Sequence, residues 1–143
     1  MAIALLFTAG CGSMGSSNLE SLDNFQQQLL GDMKLPEGVK IDNSQSLVLG
    51  GGSTWTGRIV ISIPHGATDT FTFFRDQFPA SGWTGISSIK AKTSILVFTK
   101  QDRTVTVEIS DAGSMSKGSL VTLTAAPKGV INPTSQGAGG AVR

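Results

Sequence analysis

The chain has 143 residues, with 11 Lys and Arg against 10 Asp and Glu, which gives a formal net charge of +1. This balance excludes the basic excess that steers proteins to nucleic acid, so we expect no nucleic-acid partner. A single cysteine excludes an intramolecular disulfide, and 39% hydrophobic residues over this length predict one small globular domain.

An uncharged apolar run at residues 2–10 leads into Cys11. The ending Ala9-Gly10-Cys11 resembles a bacterial lipoprotein signal peptide, in which small residues precede the cysteine that becomes acylated. The resemblance implies that residues 1–10 are a signal peptide and that palmitate-type acyl chains on Cys11 anchor the protein to a membrane. Gly12 stands where an aspartate would retain such a protein at the inner membrane, which implies the outer membrane, facing the periplasm. The alternative is a buried strand or helix over residues 2–11, with Cys11 in the core.

A flexible tether and a helix are predicted next. Residues 11–17 are rich in Gly and Ser, which is typical of a flexible linker. Over residues 17–30 the apolar side chains recur at helical spacing, the sequence Ser17 to Glu20 has the form of a capping box, and Gly31 ends the pattern. We expect this amphipathic helix to pack on its own domain, with docking on a partner as the alternative.

Short strands are predicted over 39–41 and 45–49, before a glycine cluster at 50–52. A phosphate-binding loop would need a helix directly after the glycines. The segment 55–63 instead places Ile59, Ile61 and Ile63 on alternate positions, as in a half-buried strand. The glycine cluster is therefore predicted to be a hairpin connection.

The segment after Pro64 predicts a second helix, capped by Thr68 and carrying Phe71, Phe74 and Phe78 on one face. The alternation Thr-Phe-Thr-Phe at 70–73 would also fit a strand. The longer period of the phenylalanines favours the helix, and Pro79 with Gly82 predicts its end.

A meander of strands is predicted over 83–89, 94–100, 103–110 and 120–125. Only Gln101 and Asp102 separate the second and third of these strands, which demands a tight hairpin. From residue 128 the composition is rich in Gly, Ser and Pro, which predicts a disordered tail over 128–143.

These elements predict an α+β fold, with a single antiparallel sheet of about five to six strands and two helices packed on one face. The predicted organisation is a signal peptide at 1–10, a tether at 11–17, one domain at 18–127 and the tail at 128–143. No internal repeat is present.

Catalytic and metal-binding residues are sparse. His65 is the only histidine, and a Ser-His-Asp group assembled from Ser62, His65 and Asp69 would be the basis of a hydrolase. Because any serine-rich chain allows such a grouping, we expect His65 to be a solvated loop residue and the protein not to be an enzyme. One histidine with scattered carboxylates predicts no metal site and no cofactor.

Two tryptophans beside turns, Trp55 and Trp83, are candidate partner-binding residues, with a place over the core as the alternative. The segment from Pro64 to Trp83 resembles small proteobacterial envelope lipoproteins. That resemblance implies a non-enzymatic component of an outer-membrane complex, such as barrel-assembly, secretion, conjugation or pilus machinery, with other envelope proteins as partners. The alternative functions are binding of a small apolar ligand or lipid, which needs an apolar cavity, and hydrolysis.

Overall fold

One antiparallel sheet with a single α-helix against it makes up the computed structural model, which describes residues 31–113 and 117–128. The helix α1 (Ala67–Ala80) connects the third strand to the fourth. The strands are β1 (Lys40–Ile41), β2 (Leu47–Leu49), β3 (Thr56–Ile63), β4 (Thr84–Ile89), β5 (Thr93–Lys100), β6 (Arg103–Asp111) and β7 (Ser119–Pro127).

The strand order is β1-β3-β7-β6-β5-β4, and β2 pairs with β3 on the same side as β1. β1 lies against Ile61 and Ser62, whereas β2 lies against 56–58, so the two short strands share one edge position. Seven strands therefore fill six positions, which accounts for the prediction of five or six. The glycine cluster leads through a 3₁₀ turn, Gly52–Thr54, from β2 to its antiparallel neighbour β3, which confirms the hairpin prediction.

The two faces of the sheet differ in burial. The face toward α1, here called the inner face, carries a row of apolar side chains that are at most 1% exposed, including Ile59, Ile61, Val107 and Leu123. On the outer face of β6, by contrast, Thr106 and Glu108 are half-buried. The alternation predicted for β6 is thus confirmed, because successive residues of a strand point to opposite faces.

The helix α1 covers the inner face with the predicted phenylalanines, since Phe71, Phe74 and Phe78 are all buried. It begins two residues earlier than predicted. Gly66, not Thr68, is the N-cap, because the Gly66 carbonyl already accepts the Thr70 N–H at 3.0 Å and Thr68 falls within the first turn. The helix ends at Ala80, and Gly82 follows at φ +86°, as the Pro79 and Gly82 signals predicted.

Within the described residues one helix packs on the sheet, where the sequence predicts two. The other predicted helix, over 17–30, lies outside those residues, as do Cys11 with the predicted signal peptide and tether, and the tail from 129 onward. In the part of the chain that the structure describes, no helix has the length and apolar character needed to cross a membrane.

Gly57 allows β2 to lie close to β3. Its φ is +136°, and a β-carbon at this position would stand 2.1 Å from the Leu47 carbonyl oxygen. We expect Gly57→Ala to lower the free energy of unfolding by about 1–3 kcal/mol, because the backbone is strained for any residue with a side chain. Urea denaturation measures this loss. Gly85→Ala is the matched control, since its β-carbon would make only ordinary contact with Phe98 at 3.9 Å; equal losses in the two variants would contradict the explanation.

Candidate functional site

An open groove of about 320 Å³ lies between the helix α1 and the edge strand β4. Gly85 and Ser88 face inward on β4, because they pair with the buried residues Phe98 and Leu96 of β5. Gly85 has no side chain and that of Ser88 is short, which leaves space beside the helix. The groove is lined by Arg75, Pro79, Gly85, Ile86, Ser87, Ser88, Leu96 and Phe98. We call this the α1–β4 groove.

Close aromatic packing lies beneath the α1–β4 groove. The Phe78 ring lies 4.7 Å from the Phe98 ring and 5.5 Å from the Phe74 ring, measured between centroids. Both Phe74 and Phe78 are fully buried, and neither lines the groove. In the described residues the space between the middle of the helix and the sheet is therefore filled, and the accessible volume lies at the margin.

The mouth of the groove carries a cation. Arg75 donates from Nε to Asp76 Oδ1 at 2.7 Å and from Nη2 to Oδ2 at 3.1 Å. This side-chain hydrogen bonding raises the pKa of the Arg75 guanidinium and lowers that of the Asp76 carboxyl. Both side chains are 53% exposed, so an anion at the mouth would compete with Asp76 in a solvated setting.

A second opening, of about 740 Å³, lies at the end of the sheet where α1 begins. Charged side chains of both signs border it, among them Asp69, Lys92, Asp111 and Lys117. Apart from Pro64, its lining has no apolar side chain of the kind that is typical of ligand pockets. This opening is a polar cleft between loops rather than an apolar site.

The residues considered for a hydrolase are only partly brought together. His65 and Asp69 line the same opening, but Ser62 is an exposed residue of β3 that does not border it. No hydrogen bond joins the side chains of these three described residues, although a nucleophile needs contact with its base. Among the described residues no cluster of His, Cys, Asp or Glu could hold a metal ion.

Both tryptophans are buried: Trp55 is 1% exposed and Trp83 is 2% exposed. This agrees with the alternative that they cover the core, and the buried rings offer no surface for the partner-binding role predicted for them. The Arg103 guanidinium carbon lies 5.9 Å from the Trp55 ring centre and 5.4 Å from that of Trp83, within the range of cation–π attraction.

A charged cluster surrounds this arginine. Lys100 donates to Asp32 and, at 2.8 Å, to the Ser81 carbonyl, while Arg103 Nη1 lies 3.7 Å from Asp32 Oδ1. Burial lowers the pKa of the Arg103 guanidinium, and the Asp32 charge opposes that shift. One carboxylate therefore serves two cations, and it ties the chain before β1 to the β5–β6 hairpin.

The sequence alone did not indicate the α1–β4 groove or the charged cluster around Arg103. The groove depends on Gly85 and Ser88 facing inward opposite Phe98 and Leu96, which only the register reveals. The Asp32–Lys100 contact spans 68 residues, and no local pattern signals it. The sequence contained a partial signal for the groove. The strand 84–89 contains small residues, whereas its neighbour β5 carries large apolar residues at alternate positions.

Comparison with known protein families finds a match to the model described as START domain-like, over residues 60–136. This segment is more than half of the chain. The chain belongs to the START domain-like family. The START domain-like segment takes in half of β3, all of α1 and the strands β4 to β7, so the α1–β4 groove lies wholly within it. No curated protein and no solved structure matches the chain.

Removing the negative charge of Asp32 tests how much the charged cluster around Arg103 contributes to the stability of the folded chain. Asp32→Asn leaves two partly buried cations without a counter-charge, so we expect the free energy of unfolding to fall by about 1–3 kcal/mol. Chemical denaturation at low and high salt measures this change. Asp76→Asn is the matched control, because its ion pair with Arg75 is solvated, and we expect its unfolding midpoint to stay unchanged. Equal midpoints for both variants would contradict the role of Asp32.

Proposed function

We propose that the protein is a non-enzymatic binding domain that holds the apolar chain of a small ligand or lipid in the α1–β4 groove. The observation that carries the proposal is the groove itself, whose floor is Leu96 and Phe98 and whose wall includes Pro79 and Ile86. Membership of the START domain-like family supports it, because the family fold is one of lipid and ligand binding.

The size of the groove limits the ligand. Pockets for small molecules are typically about 300–1,000 Å³, so a groove of about 320 Å³ takes a small ligand or one part of a larger one. The packed ring of Phe78 leaves no room deeper between helix and sheet. A chain-like apolar ligand lying along the margin fits this shape better than a bulky one.

The mouth favours a ligand with an acidic head. Arg75 is the charged residue of the groove, and its present partner Asp76 is solvent-exposed. An acidic head group would replace Asp76 at Arg75 while the apolar chain contacts Leu96 and Phe98. A fatty acid or an acidic lipid has this combination of groups.

We further propose that Cys11 carries acyl chains that anchor the protein to the periplasmic face of the outer membrane, after removal of residues 1–10. Two or more acyl chains give stable attachment. The anchor would hold the groove near the lipids of that membrane and so raise their effective concentration at it.

A second candidate function is a structural role in an envelope complex, such as secretion or barrel-assembly machinery. The edge strand β4 favours it, because Ile86 and Ile89 are 61% and 54% exposed there. An exposed apolar edge can accept a strand from another protein. This function would need the edge of β4 and not the interior of the groove.

Filling the α1–β4 groove tests the proposed ligand site. Gly85→Leu and Ser88→Leu each place an apolar side chain in the groove, and we expect either to weaken binding of a fluorescent fatty acid about tenfold or more, since the ligand loses most of its apolar contact. Fluorescence titration of the purified protein measures the affinity.

The matched control for groove filling is Ser62→Leu, which adds the same side chain at an exposed position of β3 outside the groove. We expect its affinity to equal that of the unmodified protein. Undiminished binding in both groove variants, with the fold intact by circular dichroism, would eliminate the groove as the site.

The anchor is tested in a bacterial host. We expect mass spectrometry of the membrane fraction to find a mature N-terminus at Cys11 carrying diacylglycerol and an amide-linked acyl chain. Cys11→Ser should move the protein out of that fraction, and Ser13→Ala should leave it there as the control. An unacylated N-terminus with residues 1–10 still attached would disprove the anchor.

A further inference from the structure

Exposed apolar side chains concentrate on the two edge strands of the sheet. Five large hydrophobic residues are exposed among the described residues, and four of them lie on the edge strands: Leu47 and Leu49 on β2, Ile86 and Ile89 on β4. Among the described strands, each of these two pairs on one side only. An edge of this kind presents unpaired N–H and C=O groups together with apolar contacts, and is a template for strand addition.

We propose that copies of this chain assemble head to tail, with β2 of one copy adding to β4 of the next and so extending the sheet. This proposal is independent of the ligand proposed for the α1–β4 groove.

Strand direction allows this extension. All neighbouring strands are antiparallel and the sheet is six positions wide, so β2 and β4 run in opposite directions. When a second copy continues the sheet with its helix on the same side, its β4 therefore lies antiparallel to β2 of the first. The contact joins two different edges, which makes it heterologous, and a repeated heterologous contact gives a ring or a filament.

Register and facing agree with the pairing. Leu47 pairs with Arg58 of β3, and the same row of cross-strand partners continues through the sheet to Val97 and Ser87. Ile89 pairs with Ile95 of β5. These rows place both Leu47 and Ile89 on the outer face. An antiparallel register that sets Leu47 opposite Ile89 of the next copy keeps both on the outer face. The two exposed side chains then cover one another.

Charges at the two edges also complement one another. Lys90 and Lys92 follow β4, and in this register Lys92 stands across from Ser44, in the turn of the next copy that holds Asp42. Lys90 Nζ lies 5.6 Å from the ring centre of Phe71 in its own copy. Hydrogen bonds from the side chains of Ser44 and Gln45 lower the pKa of the Asp42 carboxyl and keep it ionised. Lys40, which is exposed on β1, lies farther along the same edge.

Self-pairing of two β4 edges is less favourable on the same grounds. An antiparallel β4 pair would bring Lys90 of one copy opposite Trp83 of the other. It would leave Lys92 without the Asp42 carboxylate that the contact between β2 and β4 supplies. The net charge of +1 does not by itself oppose association of whole copies.

Two edge variants test the proposal in the full chain carrying Cys11→Ser, which removes the acylation site and the only thiol. Leu47→Lys blocks β2, and Ile89→Lys, outside the lining of the groove, blocks β4. We expect each variant alone to raise the dissociation constant roughly tenfold or more by sedimentation velocity, since it replaces an apolar contact with a charge. Leu120→Lys, an exposed residue of β7 away from both edges, is the control and should associate normally.

Mixing the two edge variants gives the deciding result. Each retains the edge that the other lacks, so a heterologous contact predicts a 1:1 dimer that grows no further. Association lost with Ile89→Lys but unchanged with Leu47→Lys would mean pairing of two β4 edges and would overturn the proposal. An unmodified chain that stays monomeric at millimolar concentration, or an equal loss with Leu120→Lys, would overturn it as well.

Discussion

The packing of the phenylalanine face of α1 against the inner face of the sheet is the contact on which the rest of the structure depends. Phe74 and Phe78 are fully buried, and Phe78 touches both Phe98 of β5 and Trp83 after the helix. A helix of this length gains most of its stability from tertiary packing of its apolar face. This contact fixes where α1 crosses the sheet, and thereby leaves the margin beside β4 uncovered.

A second contact fixes the opposite end of the helix. The Thr70 and Ser119 hydroxyls, both buried, share a hydrogen bond of 2.8 Å between the first turn of α1 and the start of β7. A buried hydroxyl without a partner is costly, so each residue satisfies the other. The aromatic contacts and this polar contact together hold the helix at both ends. They therefore set the width of the α1–β4 groove.

The sequence predicted the elements whose signals are local. The two-residue turn at Gln101 and Asp102, the alternation of β6 and the spacing of the phenylalanines each led to the correct element, because turn length and periodicity follow from backbone geometry. The start of α1 was misplaced because Thr68 is a good capping residue by type, while the actual cap is Gly66, whose carbonyl closes the first turn. The path of the preceding loop therefore outweighs the capping preference of Thr68 in setting where the helix begins.

The candidate sites were beyond local reasoning. Whether Ser88 faces the groove or the solvent depends on the pairing of β4 with β5, which includes an irregularity between Gly85 and Ser87. Trp55 and Trp83 likewise meet at Arg103, which lies far from Trp55 in the chain. Both tryptophans of the chain flank this one guanidinium, and both are buried. Intrinsic tryptophan fluorescence therefore reports the environment at the end of the sheet near Arg103. It does not detect local opening at the place where α1 begins.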